Sequence, residues 1–210
     1  AINKLVDSKQ VNEKALINFI LDGKHYDSNI SYYKDISVLP SSSCGTYDTE
    51  TKDLKIWKYW NYPVVKEDRN DIKKDLDEFS DLFDDAVKIR LRSDVPVGLT
   101  YSGGIDSTSI LTSMVKNKPS FTAFTSVYSK NERSEEKWAK FGVQNYSNVN
   151  LKSIMSSYEN WLDIMGKISW HLDGPTYSPA IYPLWFLMKE AKQMKIPVLL
   201  EGQGADEELG

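Results

Sequence analysis

Cysteine is nearly absent from this sequence. Cys44 stands alone among 210 residues, which excludes an internal disulfide and a cysteine-rich zinc site. Histidine is almost as scarce. His25 and His171 lie far apart and lack nearby partners at metal-ligand spacing, so neither suggests zinc, and a structural hydrogen bond at a helix end is the simplest role for His171. No apolar run approaches the ~18–20 residues of a membrane span, and no signal peptide opens the chain. An excess of positive charge is missing too: 26 Lys and Arg against 30 Asp and Glu give a net charge of −4, which argues against non-specific nucleic-acid binding. There are no internal repeats and no low-complexity tracts. These absences point to a globular protein of a reducing, cytoplasmic setting, with neither nucleic acid nor membrane among its partners.

What is present is ordinary in amount: 40% hydrophobic and 27% charged residues. The length allows one large domain or two small ones. The chain starts at Ala1 rather than Met and stops in "EELG", just after an acidic, glycine-rich run. It reads as a fragment of a longer protein, with Ala1 as a tag remnant.

Residues 12–22 place Ala15, Leu16, Phe19 and Ile20 on one face, which predicts a short helix stopped by Gly23. Residues 45–47 and 54–60 are β-rich pieces around a polar turn, with Leu54, Ile56, Lys58 and Trp60 on one strand face, and predict a hairpin. Pro63 and the charged run after it mark a boundary, giving regions 1–63 and 64–210. A long amphipathic helix follows over 68–92. Ile72, Leu76, Phe79, Phe83 and Ala86 form its stripe; Glu67, Asp68 and Asp71 crowd its start and Arg90 and Arg92 its end, as the helix dipole favours. Then come strand 96–101, helix 107–116, strand 121–127, helix 133–146, a short strand near 149–152, helices 157–171 and 179–194, and strand 196–200. This alternation predicts an α/β fold with a mostly parallel sheet and flanking helices, preceded by the small helix and hairpin.

In that frame "YSGGIDS" falls where the first strand of the sheet gives way to its helix. Ligands in open α/β sheets bind at the strands' carboxyl ends. A glycine-rich turn there can aim several backbone N–H groups at one point, and a helix starting near Ser107 adds its positive end. Together they suit a phosphate or pyrophosphate. Ser102 and Ser107 can add hydroxyl donors. Asp106 would repel a bare anion, so its presence implies an intervening metal ion, Mg²⁺ being the best fit. Neither G-x-x-x-x-G-K-[ST] nor G-x-G-x-x-G is present. Ser-Gly-Gly-x-Asp-Ser is the pyrophosphate-loop signature of enzymes that cleave ATP between the α and β phosphates. Its five specified positions match by chance on the order of once in several thousand such chains. An ordinary strand-to-helix turn is the alternative.

The second signal is "IPVLLEGQGADEELG". A buried strand runs straight into Glu201, Gly202, Gln203, Gly204, Ala205, Asp206 and Glu207. Asp206 or Glu207 could share a metal with Asp106. The plainer reading is a solvated loop with Asp206 as an N-cap. Other features have bland readings. Trp161 and Trp185 fit helix periodicity and core packing, and "NERSEEKWAK" fits a solvated helix start.

Taken together, these segments resemble the glutamine-hydrolysing asparagine synthetase family over nearly the whole chain. "LRSDVPVGLTYSGGIDS" resembles the family's approach to its pyrophosphate loop, and "GQGADEELG" resembles its "GEGADELFGGY" segment. "WHLDGPTYSPAIYPLWFL" is similar to its "HLDEP" stretch, and "LPSSSCGTYDTETKDLKIWKYWNY" to the end of its glutaminase domain, where "LPPGHY…YW" is usual. The resemblance implies a pyrophosphate-loop ATPase fold of the adenine-nucleotide α-hydrolase type over 64–210, truncated, and the tail of a glutaminase-type domain over 1–63. It implies an ATP-dependent amidotransferase that adenylates a small carboxylate (aspartate or an analogue), releases pyrophosphate, and amidates with glutamine-derived ammonia. ATP and Mg²⁺ are the implied cofactors, and the chain could pair as a homodimer.

Carried over by motif, Ser102, Gly103, Gly104, Asp106 and Ser107 would bind the β and γ phosphates. Thr100 and Tyr101 would lie near adenosine, Ser126 on the adenine side, and Glu201 and Gly202 against the nucleotide. Asp206 would join Asp106 at the magnesium, and Gln203 and Asp206 would sit at the catalytic positions. Three departures stand out. Gln203 replaces the usual glutamate of "GEGADE", so it can hydrogen-bond but not act as a base. Gly174 replaces a common glutamate in "HLDEP". Cys44 is internal and lacks a free α-amino group, so it is a strand or turn cysteine rather than the glutaminase nucleophile. The family's downstream phosphate-binding lysine would lie beyond Gly210, so the fragment alone is expected to be inactive. Two alternatives remain open: a pyrophosphate-loop ligase acting on another carboxylate, of surface-polysaccharide or β-lactam type, and a nucleotide-binding module without catalysis. The glutaminase-like opening and the lack of a basic patch count against a tRNA-modifying branch.

Overall fold

The computed structural model describes residues 10–23, 30–64, 71–128, 134–176 and 178–206. His25, Glu67, Asp68 and Glu207, and the expected helix starts at 68 and 133, lie outside the described residues. The chain divides into two compact units, Ala1–Asp68 with Ser169–Tyr177, and Arg69–Ile168 with Ser178–Gly210.

In the first unit, α1 spans Glu13–Asp22. Asn12 caps it, its Oδ1 accepting from the Ala15 N–H at 3.4 Å, and Gly23 ends it in the left-handed region. Strands β1 (Ser43–Tyr47) and β2 (Leu54–Lys58) form an antiparallel hairpin in register from Ser43↔Lys58 to Tyr47↔Leu54. Asp48 fixes the turn. Its Oδ1 accepts from the N–H groups of Thr51 and Glu50, which hold the carboxyl below the usual carboxylate range. Cys44 lies in β1 and is exposed, and Trp60 lies past the end of β2 rather than within it. No described residue of this unit is buried.

The second unit is the α/β part. Helix α2 (Ile72–Arg90) is capped by Asp71, whose Oδ1 accepts from the Lys74 N–H at 3.1 Å. Its expected stripe is only half used. Phe83 and Ala86 are half-buried and Val87 is buried, but Ile72, Leu76 and Phe79 are exposed. Periodicity reports the stripe; it cannot report how far the neighbouring elements reach along it. After α2 come β3 (Val97–Thr100), α3 (Ile105–Asn117), β4 (Phe121–Val127), α4 (Glu136–Val143) and β5 (Val149–Met155). Then follow α5 (Trp161–His171), α6 (Ile181–Gln193) and β6 (Val198–Leu200). Helix α5 begins four residues later than expected, and β5 is three residues longer.

The sheet order is β5-β4-β3-β6, and every pairing is parallel. Two apolar clusters cover it. Leu99, Tyr101, Phe121 and Ala123 pack with Val87, Leu111, Met114 and Ala139 from α2, α3 and α4. Phe124 packs with Leu187, Ala191 and Ile196 on the α6 side. Strand β4 is therefore buried continuously from Phe121 to Thr125, as a strand sandwiched between helices should be. No helix among the described residues is long and apolar enough to cross a membrane.

Candidate functional site

Both glycine-rich segments leave the carboxyl ends of neighbouring parallel strands. Ser102–Gly104 follows β3, and Glu201–Gly204 follows β6. The chain builds outward from β3 through β4 and β5, then returns to the other edge of β3. At such a reversal the connections on either side leave in opposite directions, and a crevice opens between them. Thr100 ties the two strand ends together, its Oγ1 donating to the Leu200 carbonyl at 3.3 Å.

The first loop starts at Tyr101, whose N–H donates to the Phe124 carbonyl at 2.8 Å. Its ring belongs to the buried core, so Tyr101 offers the crevice backbone rather than ring. Ser102 Oγ accepts from the Gly104 N–H at 3.1 Å and shares a 3.1 Å hydrogen bond with Ser107 Oγ. Ser107 Oγ also donates to the Gly104 carbonyl at 3.2 Å. Helix α3 begins at Ile105 with Gly104 in the capping position, and no side chain among the described residues caps it. The first N–H groups of a helix have no intrahelical partner, so here they remain for an anion.

Two glycines are required by close approach. Gly103 has φ +83°, and a Cβ there would lie 2.6 Å from the Trp138 carbonyl carbon and 2.7 Å from the Ala139 nitrogen of α4. A Cβ on Gly202 would lie 2.9 Å from Asp106 Cβ and 3.0 Å from the Ser107 nitrogen. The second loop thus rests directly on the first turn of α3, which brings Glu201–Gln203 beside Asp106.

Together they line a crevice of about 240 Å³. Thr100, Tyr101, Ser102, Gly104, Asp106 and Ser107 contribute from the first loop and its helix. Glu201, Gly202 and Gln203 come from the second, and Ser126 from the end of β4. Gly103 faces α4 instead. Asp206 lines an adjoining groove of about 770 Å³, which shares Asp106, Glu201, Gly202 and Gln203 with the crevice. Among the described residues no group of three or more His, Cys, Asp and Glu could hold a metal by itself. Asp106 and Asp206 on one groove do fit Mg²⁺, which commonly takes one or two carboxylates and completes its octahedron with phosphate oxygens and water.

Three lining residues escaped the sequence reading: Phe124, Leu187 and Glu135. Phe124 and Leu187 are ordinary core residues by type. Glu135 immediately precedes α4, in a run that reads as a solvated helix start. Its position after a strand's carboxyl end was the available signal. Burial pushes its carboxyl up from the usual range. Burial also raises the Tyr128 phenol; the nearby Ser126 hydroxyl works against that, and the Glu135 charge adds to it. Ser126 Oγ itself is buried and makes no hydrogen bond of normal geometry among the described residues.

With this geometry in place, the comparison with known families is direct. The family model described as asparagine synthase matches residues 78–210, from within α2 through both loops. The chain belongs to the asparagine synthase family. Every residue of the crevice lies inside the matched stretch. A glutamine-hydrolysing asparagine synthetase 1 of Bacillus subtilis (strain 168) is 37% identical over 155 residues, covering 71% of this chain and 23% of that protein. A putative glutamine-hydrolysing asparagine synthetase 2 of Methanocaldococcus jannaschii is 27% identical over 215 residues, covering 100% of this chain and 40% of that protein. This member of the asparagine synthase family therefore spans well under half the length of these relatives. Among solved structures, an NH3-dependent NAD synthetase from Campylobacter jejuni in complex with nitrate matches with a TM-score of 0.44 and 16% identity. That match covers 63% of this chain and 58% of that one.

Proposed function

We propose that the chain carries the nucleotide site of an ATP-dependent amidotransferase that adenylates a carboxylate, with aspartate the first candidate. Residues 64–210 are then a truncated synthetase domain, and residues 1–63 the tail of a glutaminase-type domain that supplies ammonia from glutamine. The observation that carries this reading is the seating of Gly202 on the uncapped first turn of α3, which joins the two loops around one crevice.

The chemistry follows from what a carboxylate lacks. Its oxygen is a poor leaving group, so the amide cannot form directly. Attack of a carboxylate oxygen on the α phosphorus of ATP forms an acyl-phosphate bond and breaks the bond to pyrophosphate. Ammonia then attacks the acyl carbon, AMP leaves, and the amide remains. In this scheme Ser102, Gly104, Ser107 and the first N–H groups of α3 hold the β and γ phosphates, where negative charge grows as pyrophosphate departs. Donors already fixed in place stabilise that charge without reorganising. Gly103 lets the loop close against α4. Thr100 and the Tyr101 backbone lie along adenosine, Ser126 on the base side, and Glu201 and Gly202 along the nucleotide. Asp106 and Asp206 would hold Mg²⁺, which when bound supplies positive charge to the departing pyrophosphate. Gln203 offers a hydrogen bond at the catalytic position but no base.

The test is carboxylate-dependent ATP–pyrophosphate exchange by the full-length protein. Exchange with aspartate alone is the expected result for asparagine synthesis, and exchange with another carboxylate would move the acceptor. Gln203 favours one second reading, a nucleotide-binding module without turnover. ATP binding with no exchange on any carboxylate would overturn the first reading in favour of the second.

A further inference from the structure

A third glycine, Gly142, meets the first loop from behind the crevice. It lies within α4, where glycine is less favourable than alanine, and its backbone is not left-handed. Space is what requires it. A Cβ there would overlap the Tyr101 hydroxyl and lie 3.1 Å from Tyr101 Cζ. The phenol that fills this notch shares a 3.3 Å hydrogen bond with Thr108 Oγ1 on α3.

Tyr101 and Thr108 flank the turn Ser102–Ser107, so their bond spans the whole of it. It is the outer of two ties; the inner is the bond between Ser102 Oγ and Ser107 Oγ. Both serines line the crevice, where the oxygens of a ligand compete for their hydroxyls. The outer tie is out of a ligand's reach, because Tyr101 is 2% exposed and packs with Leu111, Met114 and Ala139. Gly103, in the middle of the turn, bears on Trp138 and Ala139. These stand four and three residues before Gly142, so one strip of α4 supports both the turn and the phenol behind it. We propose that Tyr101 is a positioning residue: its hydroxyl, seated in the notch at Gly142 and bonded to Thr108, holds the turn at the width pyrophosphate needs before any ligand arrives. This rests on the phosphate-binding reading above. A turn fixed beforehand loses little freedom on binding, so cutting the tie lowers affinity without removing any contact to the ligand.

The test is a mutant cycle in the full-length protein, with Tyr101→Phe, Gly142→Ala and the two together. Affinity for magnesium pyrophosphate is measured by calorimetric titration well below the melting temperature of each variant, where a loss of stability alone leaves it unchanged. Tyr101→Phe keeps the ring and removes only the hydroxyl. It should weaken pyrophosphate binding about threefold to tenfold, on the scale of one hydrogen bond. Gly142→Ala, which displaces the phenol, should weaken it at least as much. The double variant should bind better than Gly142→Ala alone, because the methyl group then takes the space that the hydroxyl has left. Unchanged affinity in Tyr101→Phe, whatever its melting temperature, would overturn the proposal and leave the pair a packing contact. So would losses that simply multiply in the double variant. If Gly142→Ala does not fold, Tyr101→Phe decides alone. Failure of the unmodified protein to bind pyrophosphate would refute the underlying reading and the proposal with it, and is recognised before any variant is compared.

Discussion

Gly103 combines a left-handed backbone with a contact that leaves no room for a methyl group, because α4 passes within 2.6 Å of where the Cβ would stand. The variant Gly103→Ala is expected to cost roughly 1–3 kcal/mol of stability from backbone strain and overlap together. It should also displace the loop. Thermal unfolding would read the first effect and ATP titration the second, and a variant with unchanged melting and affinity would contradict this account of the loop. Asp106 calls for a different experiment. Asp106→Ala in the full-length protein should weaken binding of Mg-ATP while leaving metal-free ATP unaffected or slightly improved, since a carboxylate beside a phosphate repels it without the ion. Equal binding of Mg-ATP before and after substitution would remove Asp106 from the proposed metal site.

At the level of elements, α2 and α3 are joined by Lys116, whose Nζ donates to Asp84 Oδ2 at 2.8 Å. That bond, with help from Ser113, holds the Asp84 carboxyl below its ordinary value. A lowered carboxylate pKa means that the folded state binds protons less readily than the unfolded state. The contribution is therefore present above the ordinary Asp range and lost as pH falls through the lowered value. The two side chains are 57% and 36% exposed, so the effect is on the order of 0–1 kcal/mol. Lys116→Ala should raise the Asp84 pKa measured by NMR titration, and an unmoved titration would show that the pair does not set it. These elements also mark what was legible in the sequence. Strand β4 was legible because five consecutive buried residues leave little choice of structure, and the loop after β3 because glycines, serines and an acid in that order are costly anywhere else. Glu135 was not. Its neighbours describe a solvated helix start, and only the spatial order of the strands brings it to the crevice. The exposed half of the α2 stripe was illegible for the same reason: a periodic pattern names a face but not what covers it.

Across the whole molecule the two units differ in how they are held. No described residue of the first is buried, whereas the second contains Leu99, Leu111, Met114, Ala123 and Phe124 at 0% exposure. Amide hydrogen exchange of the 210-residue chain should accordingly protect β3 and β4 far more than β1, β2 and α1, because local opening costs least where few apolar contacts must be broken. Comparable protection in both would show that hydrogen bonding alone stabilises the hairpin. The bond from Thr100 to Leu200 joins residues 100 positions apart in the chain. Half of the crevice is thus made early in synthesis and half late, and β6 must find the free edge of β3 after α3, β4, α4 and β5 have already been made. Long-range pairing of this kind is slow, because a large loop must close before any contact rewards it. On the proposed function, a nucleotide that needs both loops could not guide the early steps on the ribosome, and would act as a ligand chaperone only for the final docking of β6.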